Sequence, residues 1–347
     1  MRGYRDRDFL WTKEDFIFCV LGSAHPEDRV MAYLKYVPDP NGRWGHSDRR
    51  FRRILRYYTM SDLLGTFTFL EDYPQYLYDS TVWGIKMTAV PLNRIAVHLK
   101  PEEKLSQLLE RKKRDPLQQK AVDLVSLISD VSGVPVDFFG VTGSILLDIH
   151  REFSDIDLII YGAVNSRLVK EAMIQKLSEK RSPIRRFDKE QIMKWCVEKA
   201  ERFPLTPEEA LVIYKKKWGR GWFRGTFFSM HPVKLESELS ERYGDRIYKP
   251  EGMVKVKATV SDASEADFMP ALYQVRNVKV LEGKRTDDIR EVASYEGLYG
   301  GISEEGGEIL VYGKLEHVSD IRLGTKYHRV LVGSKEAGGK DYIKPLQ

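Results

Sequence analysis

The sequence predicts an α+β fold in three consecutive parts: an N-terminal α/β unit over residues 1–100, a central mixed sheet with helices over 101–245, and a small β-barrel over 250–347. Three observations support this division. Strand-like apolar runs dominate the first part, strand-like and helical patterns alternate in the second, and short strand-like runs separated by Gly, Asp and Ser turns fill the third. At 347 residues the chain is long enough for two or three hydrophobic cores.

The N-terminal unit contains three apolar runs that we expect to be strands. They cover residues 15–22, 30–37 and 90–99. Between them, apolar residues recur at helical spacing from Phe51 to Tyr58, which predicts an amphipathic helix over 49–58. Its arginines, Arg49 and Arg53 among them, could contact nucleic-acid phosphates. A solvated arginine face above a docked apolar stripe is the alternative.

The central part is expected to be rich in helices. The helical segments are 102–114, 117–132, 169–180, 189–202 and 207–218. Pro116 separates the first two, and Asn165 is the expected N-cap of the third. A strand over 222–233 follows the last helix, because this segment is apolar and bounded by Gly and Pro. This order of elements predicts a small mixed sheet with helices on one face.

The main chemical signal lies between the second and third of these helices. A predicted strand ends in a Gly143-Ser144 turn, and ten residues separate Ser144 from Asp155, at the start of a second strand. Asp155 and Asp157 are two residues apart, so both side chains project from one face of that strand. Adjacent carboxylates repel one another unless a cation lies between them, and an all-oxygen pair suits Mg²⁺ or Mn²⁺ better than zinc. Glycine allows a ligand to approach the backbone closely, and the amides that open the following helix attract phosphate.

A Gly-Ser turn followed after ten residues by an apolar-flanked Asp-x-Asp resembles the signature of the DNA polymerase beta-like nucleotidyltransferase superfamily. The resemblance covers residues 122–232, roughly a third of the chain. It implies a nucleotidyltransferase core in which Asp155 and Asp157 are catalytic metal ligands and Gly143 and Ser144 bind the nucleotide. Each half of the pattern alone is common in ordinary turns and strand ends, so the resemblance depends on their combination.

The resemblance also implies a third carboxylate, on a later strand beside the Asp155 strand. The expected strand over 222–233 contains no Asp or Glu. His231 is the candidate substitute, as a weaker ligand or a proton acceptor, and the first acidic residues after the strand are Glu236 and Glu238. Either the third ligand comes from elsewhere or the site is degraded.

The most basic segment, residues 215–224, lies directly before and within the expected third core strand. Its candidate nucleotide-binding residues are Lys216, Arg220 and Arg224. Its candidate nucleic-acid-binding residues are Lys215, Lys217, Trp218 and Trp222. The cations would contact phosphates and the rings would stack on bases. The alternative is a solvated helix end with its tryptophans in the core.

The C-terminal part contains five or six short apolar runs in under a hundred residues, which predicts a small β-barrel. The alternation places Val254, Val256 and Ala258 inside, with Lys255 and Lys257 outside. An oligonucleotide-binding barrel and a purely structural or dimerising barrel both fit this pattern.

Composition sets wider limits on function. The net charge of +5, from 56 basic and 51 acidic residues, permits an anionic partner without requiring one. Cys19 and Cys196 lie in unrelated apolar segments, which argues against a disulfide framework or a cysteine zinc site. No apolar run reaches membrane length and no signal-like core follows the N-terminus, so we expect a cytoplasmic protein with no membrane partner. The charged fraction of 31%, together with very few Asn and Gln residues, points to a thermophilic source.

The leading hypothesis is a nucleotidyltransferase that moves a nucleoside monophosphate from a nucleoside triphosphate to a hydroxyl, with Mg²⁺ or Mn²⁺. An RNA 3′ end is the favoured acceptor, because three segments offer cationic or aromatic surfaces. A protein side chain or a small molecule remains open as acceptor. The alternative is a nucleic-acid-binding protein that keeps this fold without turnover, which the missing third acid supports. The sequence does not indicate an oligomeric state.

Overall fold

The computed structural model describes residues 2–46, 49–55, 57 and 60–346. Within these residues the chain forms seven α-helices and nineteen strands, arranged in three sheets. The predicted α+β class is therefore confirmed. Tyr58, the last apolar position of the helix expected over 49–58, falls outside the described residues.

The N-terminal sheet is built from eight strands and is accompanied by one helix. The elements are β1 Phe9–Thr12, β2 Ile17–Val20, β3 Arg29–Pro38, β4 Trp44–His46, β5 Arg49–Arg53, α1 Met60–Leu70, β6 Leu77–Ser80, β7 Ile85–Pro91 and β8 Ile95–Leu99. The main order is β4-β5-β3-β2-β1-β8, and β7 pairs with both β3 and β6. The strands expected over 15–22 and 30–37 are confirmed as β2 and β3, whereas the run over 90–99 is divided between β7 and β8.

The helix predicted over 49–58 is wrong, because Arg49–Arg53 forms strand β5. In this strand Phe51 is buried, and its neighbours Arg50 and Arg52 are exposed. The segment thus alternates with the period of a strand, and its pairing with β3 and β4 settles the choice between the two periods.

The central part alternates helices and strands. The elements are α2 Pro101–Glu110, α3 Pro116–Ser132, β9 Phe139–Thr142, α4 Gly143–Leu146, β10 Ile156–Tyr161, α5 Ala163–Ser178, β11 Ile184–Arg185, α6 Lys189–Arg202, α7 Pro207–Lys216, β12 Arg220–Phe223 and β13 Thr226–Val233. The sheet order is β11-β12-β13-β10-β9, with β10 parallel to β13 and antiparallel to β9. All five expected helices are present, and the strand expected over 222–233 is a hairpin of β12 and β13.

Local sequence explains where these helices begin. Asp115, Asp188 and Thr206 form capping boxes at the starts of α3, α6 and α7. Asn165 is not the N-cap of α5, since that helix begins at Ala163, and the Asn165 amide donates to the Tyr161 carbonyl 2.8 Å away.

The C-terminal sheet consists of long, bent strands. They are β14 Arg246–Asp262, β15 Ala271–Gly283, β16 Ile289–Ser294, β17 Glu308–Asp320, β18 Thr325–Val332 and β19 Tyr342–Pro345. The pairings run from β14 through β15, β16, β18 and β17 back to β14, so five strands form a closed, barrel-like ring. The inward positions are confirmed: Val254 and Val256 are fully buried. Lys255 and Lys257 point outwards and pair with acidic residues of neighbouring strands.

The barrel core is not made by the barrel alone. Trp195 and Cys196 of α6 and Ile213 and Tyr214 of α7 are buried in the same cluster as Val254 and the other inward barrel residues. The apolar stripes of α6 and α7 therefore face the barrel, although these helices lie between strands of the central sheet in the chain.

The two faces of the central sheet differ sharply. Leu158, Ile160 and Phe228 project towards α3 and α5 and form a second core. Asp157 and Ser229 project from the opposite face, towards a cavity that the other two parts of the chain also line. Cys19 and Cys196 are both free thiols, as expected. Among the described residues there is no helix with the length and apolar character needed to span a membrane.

Candidate functional site

Four side chains from neighbouring strands form a row on the cavity face of the central sheet. Strand register places Thr142 of β9 opposite Asp157 of β10, Asp157 opposite Ser229 of β13, and Ser229 opposite Arg220 of β12. Neighbouring strands are about 4.8 Å apart, so Arg220 lies about 10 Å from Asp157 along the sheet. We call these four residues the cavity row.

Gly143 directly follows the cavity row residue Thr142 and has a backbone φ of +67°, which side chains with a Cβ rarely adopt. A Cβ at this position would overlap the carboxylate of Asp157. A glycine is therefore required at position 143, because of this φ and because the carboxylate of Asp157 lies so close to the backbone. Helix α4 spans only Gly143–Leu146. Any phosphate contact at this turn would depend on its backbone and on Ser144, since so short a helix has a weak dipole.

Asp155 and Asp157 both line the cavity. Asp155 is exposed to solvent, yet the cavity walls desolvate its carboxyl, and this burial, together with the charge of Asp157, raises its pKa to about 6. The positive charge of Arg53 opposes the rise. Asp157 is held differently, because one of its oxygens accepts a hydrogen bond from the Ser229 hydroxyl at 2.5 Å. The two carboxylates are thus close enough for the charge of Asp157 to raise the proton affinity of Asp155, as the sequence spacing leads one to expect.

Ser229 lies opposite Asp157 on β13, within the segment in which the resemblance implied a third carboxylate. Its hydroxyl also lies 2.9 Å from Nε2 of His231, two residues along the same face. Because the Ser229 hydroxyl donates to Asp157, Nε2 of His231 carries the proton in this arrangement and donates to Ser229. The pKa of His231 is well below the ordinary value owing to burial and to the nearby cations Arg7, Arg220 and Lys35. His231 is therefore neutral at pH 7, a poor proton acceptor, and its Nε2 is unavailable to a metal.

The acidic residues that follow β13 do not supply the third ligand. Glu236 pairs with Arg5, and Glu238 accepts backbone hydrogen bonds from Ala163 and Leu235, both at 2.9 Å. Among the described residues there is no group of three His, Cys, Asp or Glu side chains arranged to hold a metal ion. The protein donor set at the candidate site is the pair Asp155 and Asp157.

The cavity has a volume of about 850 Å³ and is lined from all three parts of the chain. Among the described residues, its lining contains thirteen that are Lys or Arg and seven that are Asp or Glu, an excess of six basic residues. The cations are Arg7, Lys35, Arg43, Arg53, Lys86, Lys199, Arg202, Lys216, Lys217, Arg220, Lys314, Arg329 and Lys335. Such an excess of basic residues along a cavity creates a positive potential that attracts anions.

The basic segment 215–224 is only partly directed at this cavity. Lys216, Lys217 and Arg220 line it, whereas Lys215 and Arg224 do not. Arg224 instead lies in the turn between β12 and β13 and pairs with Asp123 of α3, so it is not positioned to bind a nucleotide beside Asp157. Lys215 is exposed at the end of α7.

Two residues expected to bind nucleic acid have structural roles instead. Trp218 is 5% exposed, and its indole N–H donates to Asp267 at 3.0 Å, so the ring cannot stack on a base. Lys217 donates to the carbonyls of Gly297 and Gly300, at 3.3 and 2.5 Å, and thereby joins the end of α7 to a loop of the barrel. Burial, assisted by Arg220, lowers the pKa of Lys217 to about 7.

The remaining candidates are dispersed. Arg49 stacks over Trp11 and pairs with Asp15 at 2.7 Å, outside the cavity, whereas Arg53 lines it. Trp222 lies beyond the cavity row, in contact with Phe227. Sequence reasoning missed the cavity cations Arg7 and Lys35 and the role of Ser229, since no local pattern signals a residue that is brought to a site by strand register.

Comparison with known proteins identifies a relative whose name gives no activity. The chain matches no family model. No solved structure matches it. Over 346 residues it is 33% identical to "Uncharacterized protein MJ1086" of Methanocaldococcus jannaschii, and the alignment covers 98% of each chain. The chain therefore belongs to the same family as that protein.

Proposed function

We propose that this protein is a nucleotidyltransferase of the DNA polymerase beta-like type, which transfers a nucleoside monophosphate from a nucleoside triphosphate to a hydroxyl. The observation that supports the proposal is that Gly143, Asp155 and Asp157 line one cavity, whose described lining has six more basic than acidic residues. A nucleoside triphosphate complexed with a divalent cation is the anionic substrate that uses all of these features.

The donor set fits Mg²⁺ or Mn²⁺. Both side chains offer oxygen only and project from one face. Burial and the charge of Asp157 raise the pKa of Asp155, and a cation bound between the two carboxylates would offset that repulsion. Mg²⁺ commonly binds through one or two carboxylates and completes its shell with water and substrate phosphates, so two protein ligands suffice for a metal-triphosphate complex. When bound, the ion would neutralise phosphate charge and polarise the reacting phosphoryl oxygens.

The chain's own residues have separate roles in this proposal. Gly143 allows the carboxylate of Asp157 to lie against the backbone of the turn, and Ser144, which is 8% exposed in the cavity wall, can donate a hydrogen bond to a phosphate. Arg220, at the far end of the cavity row, is placed to bind the end of the triphosphate or the departing pyrophosphate. Positioning and charge neutralisation are the main contributions expected for phosphoryl transfer.

A second candidate function is triphosphate and nucleic-acid binding without turnover. One observation favours it: Ser229 stands at the strand position beside Asp157, and its neighbour His231 is a neutral, weak base. Without a third carboxylate there, no described side chain at this position would accept the proton of the attacking hydroxyl. The first candidate function therefore predicts slow nucleotidyl transfer with water as the proton acceptor, whereas the second predicts no transfer.

The test combines calorimetric binding of a nucleoside triphosphate with a pyrophosphate-release assay, both with and without Mg²⁺. Wild-type protein should bind the triphosphate in a Mg²⁺-dependent manner and release pyrophosphate, and the variant Asp155→Asn with Asp157→Asn should do neither. A matched control, Asp130→Asn with Asp137→Asn, removes two exposed carboxylates outside the cavity and should behave as wild type. Binding without pyrophosphate release from any nucleotide would select the second candidate, and metal-independent binding would overturn the site itself.

A further inference from the structure

A second row of side chains crosses the central sheet parallel to the cavity row and ends at the edge strand β11. Asp155 directly precedes Ile156, which pairs with Phe228, so Phe227 lies beside Asp155. Phe227 pairs with Trp222 on β12, and Trp222 pairs with Arg185 on β11. Three strand spacings of about 4.8 Å place Arg185 about 14 Å from the carboxylate site.

Aromatic rings form the middle of this second row. Trp222 packs edge-on against Phe227, with ring centroids 5.8 Å apart. Phe187, which follows β11, lies 5.8 Å from Phe227 and 6.3 Å from Trp222. All three rings are only partly buried, and Phe227 also lines the cavity that contains Asp155. A continuous aromatic surface therefore leads from the metal-ligand candidates to the edge of the sheet.

Arginines dominate the outer end of this surface. Arg185, Arg186, Arg224 and Trp222 line one depression, and Asp188 is the only acid in its lining among the described residues. The surrounding chain is basic as well, since residues 180–189 contain five cationic residues and one acidic residue. Guanidinium groups bind phosphate oxygens in a bidentate manner, which an ammonium group cannot do.

We propose that this strip, comprising Phe227, Trp222, Phe187, Arg185 and Arg186, binds single-stranded nucleic acid and directs its end towards Asp155 and Asp157. The inference rests on the proposed function and specifies its acceptor as a polynucleotide. Partly exposed rings can stack on unpaired bases, whereas a duplex would present only its phosphates to this surface. Rings with arginines beyond them therefore match the bases and the phosphates of a single strand. The strip is several times longer than the about 3.4 Å repeat of a stacked strand, so it can hold more than the terminal nucleotide.

The strip replaces the binding surface expected from the sequence. Trp218 and Lys217 are occupied within the fold, and Lys215 lies outside the cavity. Arg185 is exposed, and Arg186 uses one of its nitrogens to donate to the Lys217 carbonyl at 3.3 Å. Both guanidinium groups thus retain donors for phosphate.

The experiment is filter binding of a short single-stranded RNA across a salt series, without triphosphate or Mg²⁺. Each phosphate contact contributes about 0.7 to the log-log slope for a single strand, so Arg185→Ala with Arg186→Ala should flatten the slope by about 1.4. Trp222→Leu should weaken binding about 5- to 150-fold with little change in slope. Arg185→Glu, a single change at an exposed position, tests the same surface if the double variant does not fold.

Two comparisons separate the possible failures. The control Arg276→Ala with Lys279→Ala removes two exposed cations from β15 of the barrel and should leave RNA binding unchanged. If this control loses binding and the Arg185 variants do not, the barrel is the nucleic-acid surface and the strip is refuted. The variant Asp155→Asn with Asp157→Asn should bind RNA with the wild-type slope even though it fails to bind metal-triphosphate. RNA binding through Arg185 in a protein that binds no triphosphate would support the strip while refuting the proposed transferase.

Discussion

Replacing Asp155 with Asn should stabilise the protein at neutral pH. The pKa of Asp155 is raised from 3.8 to about 6, chiefly by burial and secondly by Asp157, so the charged carboxyl opposes folding. A rise of this size corresponds to about 3 kcal/mol at 1.36 kcal/mol per pH unit. Because the Asp155 side chain is exposed, solvent screening reduces the expected gain to about 1 kcal/mol, or about 2 °C in thermal midpoint.

The direction of the pH dependence follows from the raised pKa. Above about pH 6 the Asp155 carboxyl is charged in the folded protein, and its destabilising effect is fully present. Below the unfolded-state value of 3.8 it is protonated in both states, and the effect vanishes. The stabilisation by Asp155→Asn should therefore be present at pH 7.5, shrink between pH 6 and 4, and be absent at lower pH.

Differential scanning calorimetry of wild type, Asp155→Asn and the surface control Asp137→Asn across this pH range measures the effect. Adding Mg²⁺ should raise the midpoint of wild type and not that of Asp155→Asn, since the ion requires the ionised carboxylate. A lower midpoint for Asp155→Asn at pH 7.5 without Mg²⁺ would refute the reasoning, because it would mean that the carboxylate already has a stabilising partner.

Three further predictions concern the cavity row and its neighbours. Gly143→Ala should destabilise the protein by about 1–3 kcal/mol in urea unfolding, because the new Cβ would meet Asp157. The control Gly133→Ala, at a φ of +69° with open space around it, measures the backbone strain alone. Equal losses of stability in the two variants would contradict the proposed overlap. Arg220→Ala should weaken triphosphate binding by about 1.5–3 kcal/mol in calorimetry, whereas Lys215→Ala should have no effect, and the opposite ranking would remove Arg220 from the site. Ser229→Asp should lower the thermal midpoint without Mg²⁺, since like charges about 5 Å apart repel by about 3 kcal/mol at an effective dielectric constant near 20. Mg²⁺ should raise the midpoint of this variant more than that of wild type. An equal rise in both proteins would show that position 229 does not face the ion.

The features predicted well from the sequence are those with a local physical cause. The capped helices α3 and α6 could be predicted because capping residues, apolar periodicity and flanking prolines all lie within each segment. The inward positions Val254 and Val256 followed from simple alternation. The candidate carboxylates likewise share a face because they are two residues apart on one strand.

The features that were missed depend on contacts distant in sequence. Arg49–Arg53 fits both a helical and a strand period over so short a segment, and only its pairing with β3 and β4 decides between them. Burial of Trp218 in the core was one of the two interpretations of the sequence, but its hydrogen-bond partner Asp267 lies 49 residues away and has no local signal. That Ser229 rather than an acidic residue lies beside Asp157 follows from the register of β13 on β10, which no local pattern encodes.

The packing of α6 and α7 inside the barrel core ties the stability of one part of the chain to another. A fragment that ended at residue 245 would leave Trp195, Ile213 and Tyr214 without the barrel side chains that cover them. Burial of such side chains contributes about 1.5–3 kcal/mol each, a large share of an ordinary folding free energy. The central sheet and the barrel should consequently unfold in one cooperative transition, and a ligand that binds in the cavity would stabilise both together.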